Sequence, residues 1–324
     1  MTKERTIEKV VEGIEQSEGV GARVRRSIGN FETREFNPFL MFDHFKSNGP
    51  AGFPEHPHSG QETITYCLSG SICHEDFTGS KGMLYPGDLQ FMTAGKGIVH
   101  SEMPVEGKDG SSAQLLQLWV DLPADLKSCP PRYRDLREWE IPTYTTEDGL
   151  VHVKVISGKS YGVESIKELA YTPVDFYHFI LKPGAKFSQE VNPEFNYFLY
   201  NMKGSGLKIG NTPVRQYDNV FFNQDGDIIS GSSTGETEFI LVGGQKLDQH
   251  SVHHGPFVAN SQEDIVKKIM DYQFAQNGFE NKRNWRTLIS NGVTDEMING
   301  PLNGNPEVRQ KQKQKYLQEH AQVA

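Results

Sequence analysis

The sequence predicts an all-β protein of two tandem β-barrels, with a few short helices and a helical, polar C-terminal tail. Its 32 glycines and 17 prolines are spread along the chain and mark many short turns. Between these turns lie short runs rich in β-branched and aromatic residues, among them residues 63–68, 115–120, 176–181 and 237–242. Short strands at such spacing are typical of sandwiches and barrels. A length of 324 residues, about twice that of a common domain, indicates two of them.

The two halves of the chain resemble diverged copies of one unit. In each half a polar residue is followed eight residues later by a turn glycine: Glu62 and Gly70, Asn196 and Gly204. A recurring spacing of this kind is the signature of an internal repeat. On this register, His56 and His58 fall opposite Glu190 and Asn192. The second copy is therefore expected to keep the strands and to lose the imidazoles.

Composition shifts along the chain predict the domain boundaries. The expected order is a first barrel, a linker dense in proline and charge, a second barrel, a helical segment and a polar tail: residues 1–130, 131–148, 149–260, 261–290 and 291–324. A capping-box-like start at Ser261 and a stop at Gly278 predict the helix. Because the tail has few apolar residues, we expect it to be peripheral, dispensable for folding and metal binding, and available to partners.

Charge and composition exclude several classes of function. A net charge of −9 argues against direct nucleic-acid binding, which normally needs a basic face. The sequence contains no apolar run of the roughly 18–20 residues that a membrane-spanning helix requires. The three cysteines are odd in number and lack metal-type spacing, which favours a reducing compartment. We expect a monomer inside the cell, in the cytoplasm, the nucleus or both.

Two same-face pairs of residues carry the metal chemistry. Side chains alternate along a strand, so His56 and His58 share one face, and His100 and Glu102 share another. If the two strands are neighbours in a barrel, the four side chains can converge on one point. Three imidazoles and a carboxylate suit Fe(II), Mn(II), Ni(II) or Cu(II), and four ligands leave two positions of an octahedron open. Structural zinc sites favour cysteine and four-fold coordination, so zinc is the poorer choice.

The carboxylate ligand has a competitor in the sequence. Glu62 lies four residues after His58, and strand parity permits it to be a ligand. It is, however, further from its histidine pair than Glu102, which follows His100 by two residues. We favour Glu102 as the ligand and Glu62 as a supporting residue. The remaining histidines are expected to be structural, because they lack a same-face carboxylate or resemble surface turns: His44, His74 within the run His74-Glu75-Asp76, and His253-His254.

Several segments resemble the pirin family, and the resemblance spans roughly residues 6 to 290. They are residues 25–29, 37–43, 56–60, 74–76, 86–95, 97–103, 254–258 and 277–280. The resemblance implies two tandem cupin domains, each a double-stranded β-helix or jelly-roll barrel. It also implies one Fe(II) per chain in the N-terminal cupin, a metal-free C-terminal cupin, and the ligands His56, His58, His100 and Glu102. Pirins usually carry an acidic residue where His44 stands, and residues 291–324 have no clear family counterpart.

The resemblance implies an iron-dependent dioxygenase that opens the ring of quercetin-like flavonols with O₂ and releases CO. In this interpretation Glu102 also accepts the proton of the flavonol 3-hydroxyl group. Apolar residues near the motif are expected to line the site of a small planar aromatic substrate: Phe53, Phe91, Met92 and Trp119. The alternative is a metal- or redox-responsive cofactor that binds a protein partner and regulates transcription without significant turnover. Both functions need the same metal, so the motif does not separate them.

Overall fold

A computed structural model describes residues 2–19, 21–47, 51–105, 110, 112–166 and 169–320. The chain forms two compact units. The motif unit, which contains the metal motif, consists of Gln16–Val24, Asp43–Glu140 and Gln249–Ala324. The companion unit consists of Met1–Glu15, Arg25–Phe42 and Ile141–Asp248. This division differs from the expected boundaries, because the chain's first segments are shared between the units and its last segment belongs to the motif unit.

The first half of the chain contains the strands β1 (Ile7–Glu12), β2 (Ile14–Glu18), β3 (Ala22–Ile28), β4 (Phe39–Ser47), β5 (Phe53–His58), β6 (Gln61–Ser69), β7 (Ser71–Asp76), β8 (Lys81–Leu84), β9 (Leu89–Thr93), β10 (Ile98–Val105), β11 (Ala113–Asp121), β12 (Arg132–Leu136) and β13 (Thr143–Thr145). The second half contains β14 (Val151–Ser157), β15 (Lys159–Ser160), β16 (Val163–Glu164), β17 (Val174–Leu181), β18 (Lys186–Glu190), β19 (Phe195–Gly204), β20 (Leu207–Ile209), β21 (Thr212–Val214), β22 (Asp218–Phe222), β23 (Ile228–Ser233), β24 (Thr237–Gln245), β25 (Val252–His254) and β26 (Phe257–Ala259). The helices are α1 (Gln262–Phe274), α2 (Asp295–Asn299) and α3 (Pro306–His320), with short 3-10 turns at Ala124–Leu126, Glu138–Glu140 and Glu280–Arg283.

The predicted all-β class with few helices is confirmed. Helix α1 begins where the sequence indicates, because the Ser261 side chain accepts a hydrogen bond from the backbone N–H of Asp264. It ends earlier than Gly278, since Ala275 already adopts the left-handed conformation that closes a helix. Within the described part of the chain, no helix combines the length and apolar character needed to cross a membrane.

Two antiparallel sheets form the barrel of the motif unit. The four-stranded sheet, called the ligand sheet below, has the order β5-β10-β7-β8. The seven-stranded sheet has the order β12-β9-β6-β11-β4-β3-β2. Strands β6, β7 and β9 are buried along most or all of their length, as expected where both faces of a strand are covered.

The companion unit repeats this arrangement with an apolar filling. Its sheets have the orders β1-β22-β19-β24-β17-β14-β13 and β18-β23-β20-β21. Three phenylalanine rings, Phe179, Phe187 and Phe239, pack against one another with ring centroids 5.0–5.3 Å apart. Aromatic pairs at this separation add to the free energy gained by burying their surface.

The expected register of the repeat is wrong at the position of the lost ligands. Glu190 and Asn192 are exposed, whereas Gln189 is 1% exposed and faces the core with Phe187. The two copies also differ in the turn that follows, since residues 191–194 separate β18 from β19, whereas residues 59–60 separate β5 from β6. A single offset therefore does not align both strands, and on β18 it selects the face that points away from the core.

The C-terminal tail is helical, as predicted, but its expected peripheral position is wrong. The side chains of Ile289 and Leu302 are fully buried in a cluster with residues of the ligand sheet: Cys73, Met83 and Met103. Further along, the guanidinium of Arg309 donates two hydrogen bonds, of 2.7 and 2.8 Å, to the fully buried carboxylate of Asp88. Such bidentate pairs are among the stronger hydrogen bonds in proteins. The tail therefore packs as part of the motif unit.

We predict that a chain ending at Ser290 is clearly less stable than the full chain. It loses the buried Leu302 and leaves Asp88 without Arg309, which together should cost about 3–5 kcal/mol. At about 2–4 °C per kcal/mol, the melting temperature should fall by on the order of 10 °C, as measured by calorimetry. The control is Lys315→Ala, which removes only an exposed ion pair with Glu319 at 3.8 Å and should melt with the parent. Equal melting of the shortened and full chains would contradict the packing argument.

Candidate metal site

The pairing of β5 with β10 brings the predicted ligands together. The two strands are antiparallel, with His56 opposite His100 and His58 opposite Ile98. Directly opposed residues of an antiparallel pair project from the same face of the sheet. The ladder shifts register between His100 and Glu102, which places Glu102 opposite Phe53. Bulges of this kind re-aim side chains and are frequent next to functional sites.

Three imidazole rings converge on one point in the motif unit. The possible ligand atoms of His56, His58 and His100 all lie within 4.8 Å of one another. The Nε2 atoms of His56 and His100 are 3.0 Å apart, and the ring centroids are separated by 4.4–5.0 Å. His58 and His100 are each 1% exposed. Of the residues that the structure describes, these three form the one such group of histidine, cysteine or acidic side chains.

Burial keeps these imidazoles neutral. It lowers the pKa of His58 and of His100 well below the usual value for histidine, and the nearby His56 lowers both further. Burial also lowers the pKa of His56, although the carbonyl group of Pro54 opposes this effect. A neutral ring keeps a nitrogen lone pair, and that lone pair is what a metal ion binds.

The hydrogen bonds around the rings leave nitrogen atoms available. Nδ1 of His56 lies 2.7 Å from the carbonyl oxygen of Pro54, so it donates its proton there and leaves Nε2 unprotonated. Nδ1 of His58 lies 2.9 Å from the amide group of Gln61. With that amide rotated by half a turn, Nδ1 donates its proton to the Gln61 oxygen, and the buried Nε2, which has no hydrogen-bond partner among the described residues, keeps its lone pair. A buried nitrogen without a partner costs about 1–3 kcal/mol unless something else binds it. Converging nitrogen atoms of this kind fit a metal ion.

Glu102 lies at the edge of the imidazole cluster. One carboxylate oxygen is 4.0 Å from Nε2 of His100, and the other is 3.2 Å from the hydroxyl oxygen of Thr65. Glu102 is 6% exposed, and burial raises its pKa, whereas the hydrogen bond from Thr65 lowers it. A bound cation would reverse the effect of burial, because it favours the charged carboxylate.

Thr65 and Gln117 orient that carboxylate. The Thr65 hydroxyl lies 2.7 Å from the amide oxygen of Gln117 and 3.2 Å from Glu102, but it has one proton to donate. Rotating the Gln117 amide by half a turn, which leaves its outline unchanged, lets its nitrogen donate to Thr65 and Thr65 donate to Glu102. Such hydrogen bonds to a carboxylate ligand fix its orientation.

The competing carboxylate lies on the opposite face of its strand. Glu62 is paired with Thr93 across the β6–β9 ladder, and the Thr93 hydroxyl donates to it at 2.6 Å. Thr65, whose hydroxyl reaches Glu102, occupies the other parity of β6. Side chains of opposite parity project from opposite faces. The expectation that strand parity permits Glu62 as a ligand is therefore wrong.

The other histidines lie outside the imidazole group, although one expectation about them is wrong. His44 is a buried residue of β4, and His253 and His254 are both exposed on β25. His74 does lie in a hairpin, formed by β7 and β8, but its expected surface position is wrong, because His74 is 4% exposed and lies opposite Glu102 in the β10–β7 ladder. Its run alternates poorly between polar and apolar residues, so the local pattern contains no sign of burial.

Aromatic side chains border the site. The Trp119 ring lies 5.1 Å from that of His58 at 89°, and the Phe53 ring lies 6.4 Å from that of His56. Met92 shares the face of Trp119, because both are paired with Thr63 in their ladders. Phe91, next to Met92, projects from the other face of β9 and does not line the site. Three of the four expected wall residues thus lie on the site's side of their strands.

Sequence reasoning missed a group of polar residues beside the site. His74 lies 3.0 Å from the Gln90 amide through Nε2, and Gln90 in turn donates to Asp135 at 3.0 Å. Gln117, Thr65, Gln90 and Asp135 follow one another across four paired strands. Polar residues at alternate positions of otherwise apolar strands were the available signal, but assigning them to one row requires the strand order.

We predict that the chain binds one transition-metal ion. Co(II), followed by its absorption spectrum, should bind with one equivalent per chain and should be lost in His58→Ala. The matched control is His253→Ala, because His253 lies on β25, outside the imidazole group. Two bound ions per chain, or an unchanged content in His58→Ala, would contradict the prediction.

We predict that Thr65→Val weakens metal binding by about 10- to 100-fold, the usual effect of losing a partner of a ligand. Valine keeps the shape of threonine but donates no hydrogen bond to Glu102. Competition with a chelator measures the affinity, and Thr65→Ser should restore most of it. Thr93→Val serves as the control, because it removes a hydroxyl that donates to Glu62 on the other face. Equal losses in both valine variants would assign the effect to packing.

Comparison with known proteins agrees with this architecture. A family model described as Pirin matches residues 21–120, and one described as the Pirin C-terminal cupin domain matches residues 176–278. Pirin from Homo sapiens is 44% identical over 283 residues, which cover 86% of this chain and 95% of the human protein.

Two solved structures share the fold. Quercetin 2,3-dioxygenase from Acinetobacter baumannii aligns with a TM-score of 0.78 at 24% identity, covering 84% of this chain and 98% of that chain. The bacterial pirin YhhW from Escherichia coli, in complex with nickel(II), aligns with a TM-score of 0.59 at 19% identity, covering 74% and 99%. The matched family models and the human relative confirm the resemblance read from the sequence, and the chain therefore belongs to the pirin family, with tandem cupin domains.

Proposed function

We propose that this protein is an iron-dependent dioxygenase that opens the ring of quercetin-like flavonols. The observation that carries the proposal is the convergence of three imidazoles, two buried and one partly buried, with a buried carboxylate 4.0 Å from one of them and a tryptophan ring beside another. This combines the donors of a redox-active metal with an apolar wall for a planar ring. The likeness in fold to a protein named quercetin 2,3-dioxygenase supports the same choice.

The donor set supports one Fe(II) per chain, held by His56, His58, His100 and Glu102. Mixed nitrogen and oxygen donors with open positions suit several divalent transition metals, so Mn(II), Ni(II) or Cu(II) would also fit. The E. coli relative was solved with nickel(II), which supports a divalent transition metal. When bound, such an ion supplies Lewis acidity toward substrate oxygens and redox chemistry toward O₂.

The protein's own residues would bind and deprotonate the substrate. Trp119 and Phe53 stand beside the histidines and would pack against the flavonol rings. Glu102 would accept the proton of the 3-hydroxyl group, because its carboxylate lies beside the imidazole group and a hydroxyl group held by a metal ion there would be strongly acidified. The proposed reaction consumes one flavonol and one O₂ and yields one ring-opened ester and one CO, so all atoms balance. The substrates are therefore O₂ and a small planar aromatic compound.

We expect flavonol turnover to require bound Fe(II). The protein is loaded with Fe(II) without oxygen and then mixed with oxygenated buffer and a panel of flavonols, while O₂ uptake and CO release are measured. Both should occur in equal amounts with flavonols that carry a free 3-hydroxyl group, and flavones without it should be inert. The absence of CO from a fully loaded protein with every flavonol would reject the proposal.

We predict that Glu102→Gln lowers turnover more than it lowers metal content. Glutamine keeps an oxygen donor but accepts no proton, and a positioned base contributes roughly 10²- to 10⁴-fold to rate. Single-turnover rates on protein of known metal content separate the two effects. The exposed Glu190 provides the control in Glu190→Gln. A metal-loaded Glu102→Gln protein that turns over at the parent rate would remove Glu102 from the role of base.

A second candidate function is that of a metal- or redox-responsive cofactor for a protein partner inside the cell, in the cytoplasm or nucleus. The observation that favours it is the burial of the ligands, since His58, His100 and Glu102 are at most 6% exposed. A sensor tolerates such burial, whereas an enzyme must admit a three-ring substrate. A monomer that binds metal tightly, releases no CO and changes its affinity for a nuclear or cytoplasmic partner on oxidation would support this function instead.

A further inference from the structure

The outer face of the ligand sheet is polar and yet covered. His56, His100 and Glu102 project toward the site, so the residues between and before them project away from it. On that outer face Ser101 is fully buried, and Glu75, its partner across the β10–β7 ladder, is 6% exposed. Polar groups are rarely buried without partners. The segment that supplies these partners comes from the C-terminal part of the motif unit.

Residues 287–290, called the clip below, bind Glu75. The backbone N–H of Ile289 donates to the Glu75 carboxylate at 3.0 Å. The N–H of Leu288 and the hydroxyl of Thr287 donate to the same oxygen. Three donors on one buried carboxylate oxygen make a strong attachment, since hydrogen bonds to charged groups exceed neutral ones in strength. The buried Ile289 side chain adds an apolar anchor.

The last residue of the clip joins the two strands that carry the ligands. The hydroxyl oxygens of Ser290 and Ser101 are 2.6 Å apart, and Ser290 lies 2.8 Å from a carboxylate oxygen of Glu55. Each hydroxyl has one proton, so Ser101 donates to Ser290 and Ser290 donates to Glu55. Ser101 stands between His100 and Glu102 on β10, while Glu55 precedes His56 on β5.

This bridge lies where the strand ladder is interrupted. The β5–β10 register shifts between His100 and Glu102, which is the position of Ser101. From His56 to Phe53, β5 advances three residues while β10 advances two, so the extra residue of the bulge lies on β5 beside Glu55. The Ser101–Ser290–Glu55 chain joins the two strands at that point, where regular ladder pairing is interrupted. It therefore ties the bulged part of β5 to Ser101, which stands between His100 and Glu102 on β10.

We propose that the clip positions the metal ligands, with Ser290 as the positioning residue that limits the rate of metal release. The inference rests on the metal site of the proposed function, but not on its dioxygenase activity. Ser290 touches neither the metal site nor a substrate, and it acts through Ser101 and Glu55. Without the Ser290 hydroxyl, Ser101 loses its connection to Glu55 and keeps only a 3.5 Å contact with the carbonyl oxygen of Phe53 on β5, so Glu102 can move away from the histidines more often.

The experiment uses the full chain loaded with Co(II), whose absorption spectrum reports ligand geometry. Metal release into excess chelator is followed for the parent, Ser290→Ala and Ser290→Thr. We expect release from Ser290→Ala to be about 10-fold faster, with an altered spectrum, in line with the effect of other partners of metal ligands. Ser290→Thr keeps a hydroxyl and should restore the parent rate.

The matched control is Thr294→Ala. Thr294 is a nearby hydroxyl residue that caps α2 by accepting a hydrogen bond from the Met297 N–H, so its loss affects stability without touching the ligand strands. Faster release and a changed spectrum in Ser290→Ala alone would support the proposal. Equal release from the parent and Ser290→Ala, or equal acceleration by Thr294→Ala, would overturn it and leave the proposed function intact.

The parent chain separates this proposal from the proposed function. A parent chain that binds no Co(II) would overturn both, whereas one that binds Co(II) without flavonol turnover would overturn the dioxygenase alone.

Discussion

The antiparallel pairing of β5 with β10 is the constraint on which the site depends. It places His56 opposite His100, and Glu102 joins the same cluster because it lies two residues after His100 on the same face of β10. Neither strand can slide by one residue without sending its ligands to the opposite face. The C-terminal segment covers the outer face of the ligand sheet and supports this pairing, because the Ser101 hydroxyl on β10 hydrogen-bonds to Ser290 of that segment.

The polar groups of the site are buried at a cost in folding free energy that a bound cation would offset. His58 and His100 are held in the neutral form by burial, and each has a buried nitrogen without a partner among the described residues. Glu102 is buried as well, and its pKa is raised. Proteins seldom bury several such groups together unless a function needs them. The hydrogen bond from Thr65 shows that the carboxylate is supported from the seven-stranded sheet while the histidines come from the ligand sheet.

The companion unit has the same strand arrangement as the motif unit but different side chains in its interior. The motif unit lines part of its barrel with imidazoles and other polar side chains, whereas the companion unit fills its own with aromatic and aliphatic residues, among them Phe179, Phe187 and Phe239. Its buried Gln189 lies on a strand corresponding to β5, but its neighbours on the core face are apolar. A packed apolar interior gains free energy from burial and has no set of converging donors. The two units thus share a strand arrangement and differ in the side chains that fill it.

The sequence by itself determined the strand-rich class, the repeat and the imidazole group, because turn residues and side-chain alternation are local properties of the chain. It favoured Glu102 without excluding Glu62, since the pairing of β6, which the sequence does not show, decides that Glu62 lies on the face away from Thr65 and the site. It also misjudged His74 and the tail, because the burial of His74 and Leu302 depends on residues far away in sequence. Only the tertiary structure decided these points. A residue is buried when a second surface packs against it, and the local sequence does not show which distant segment supplies that surface.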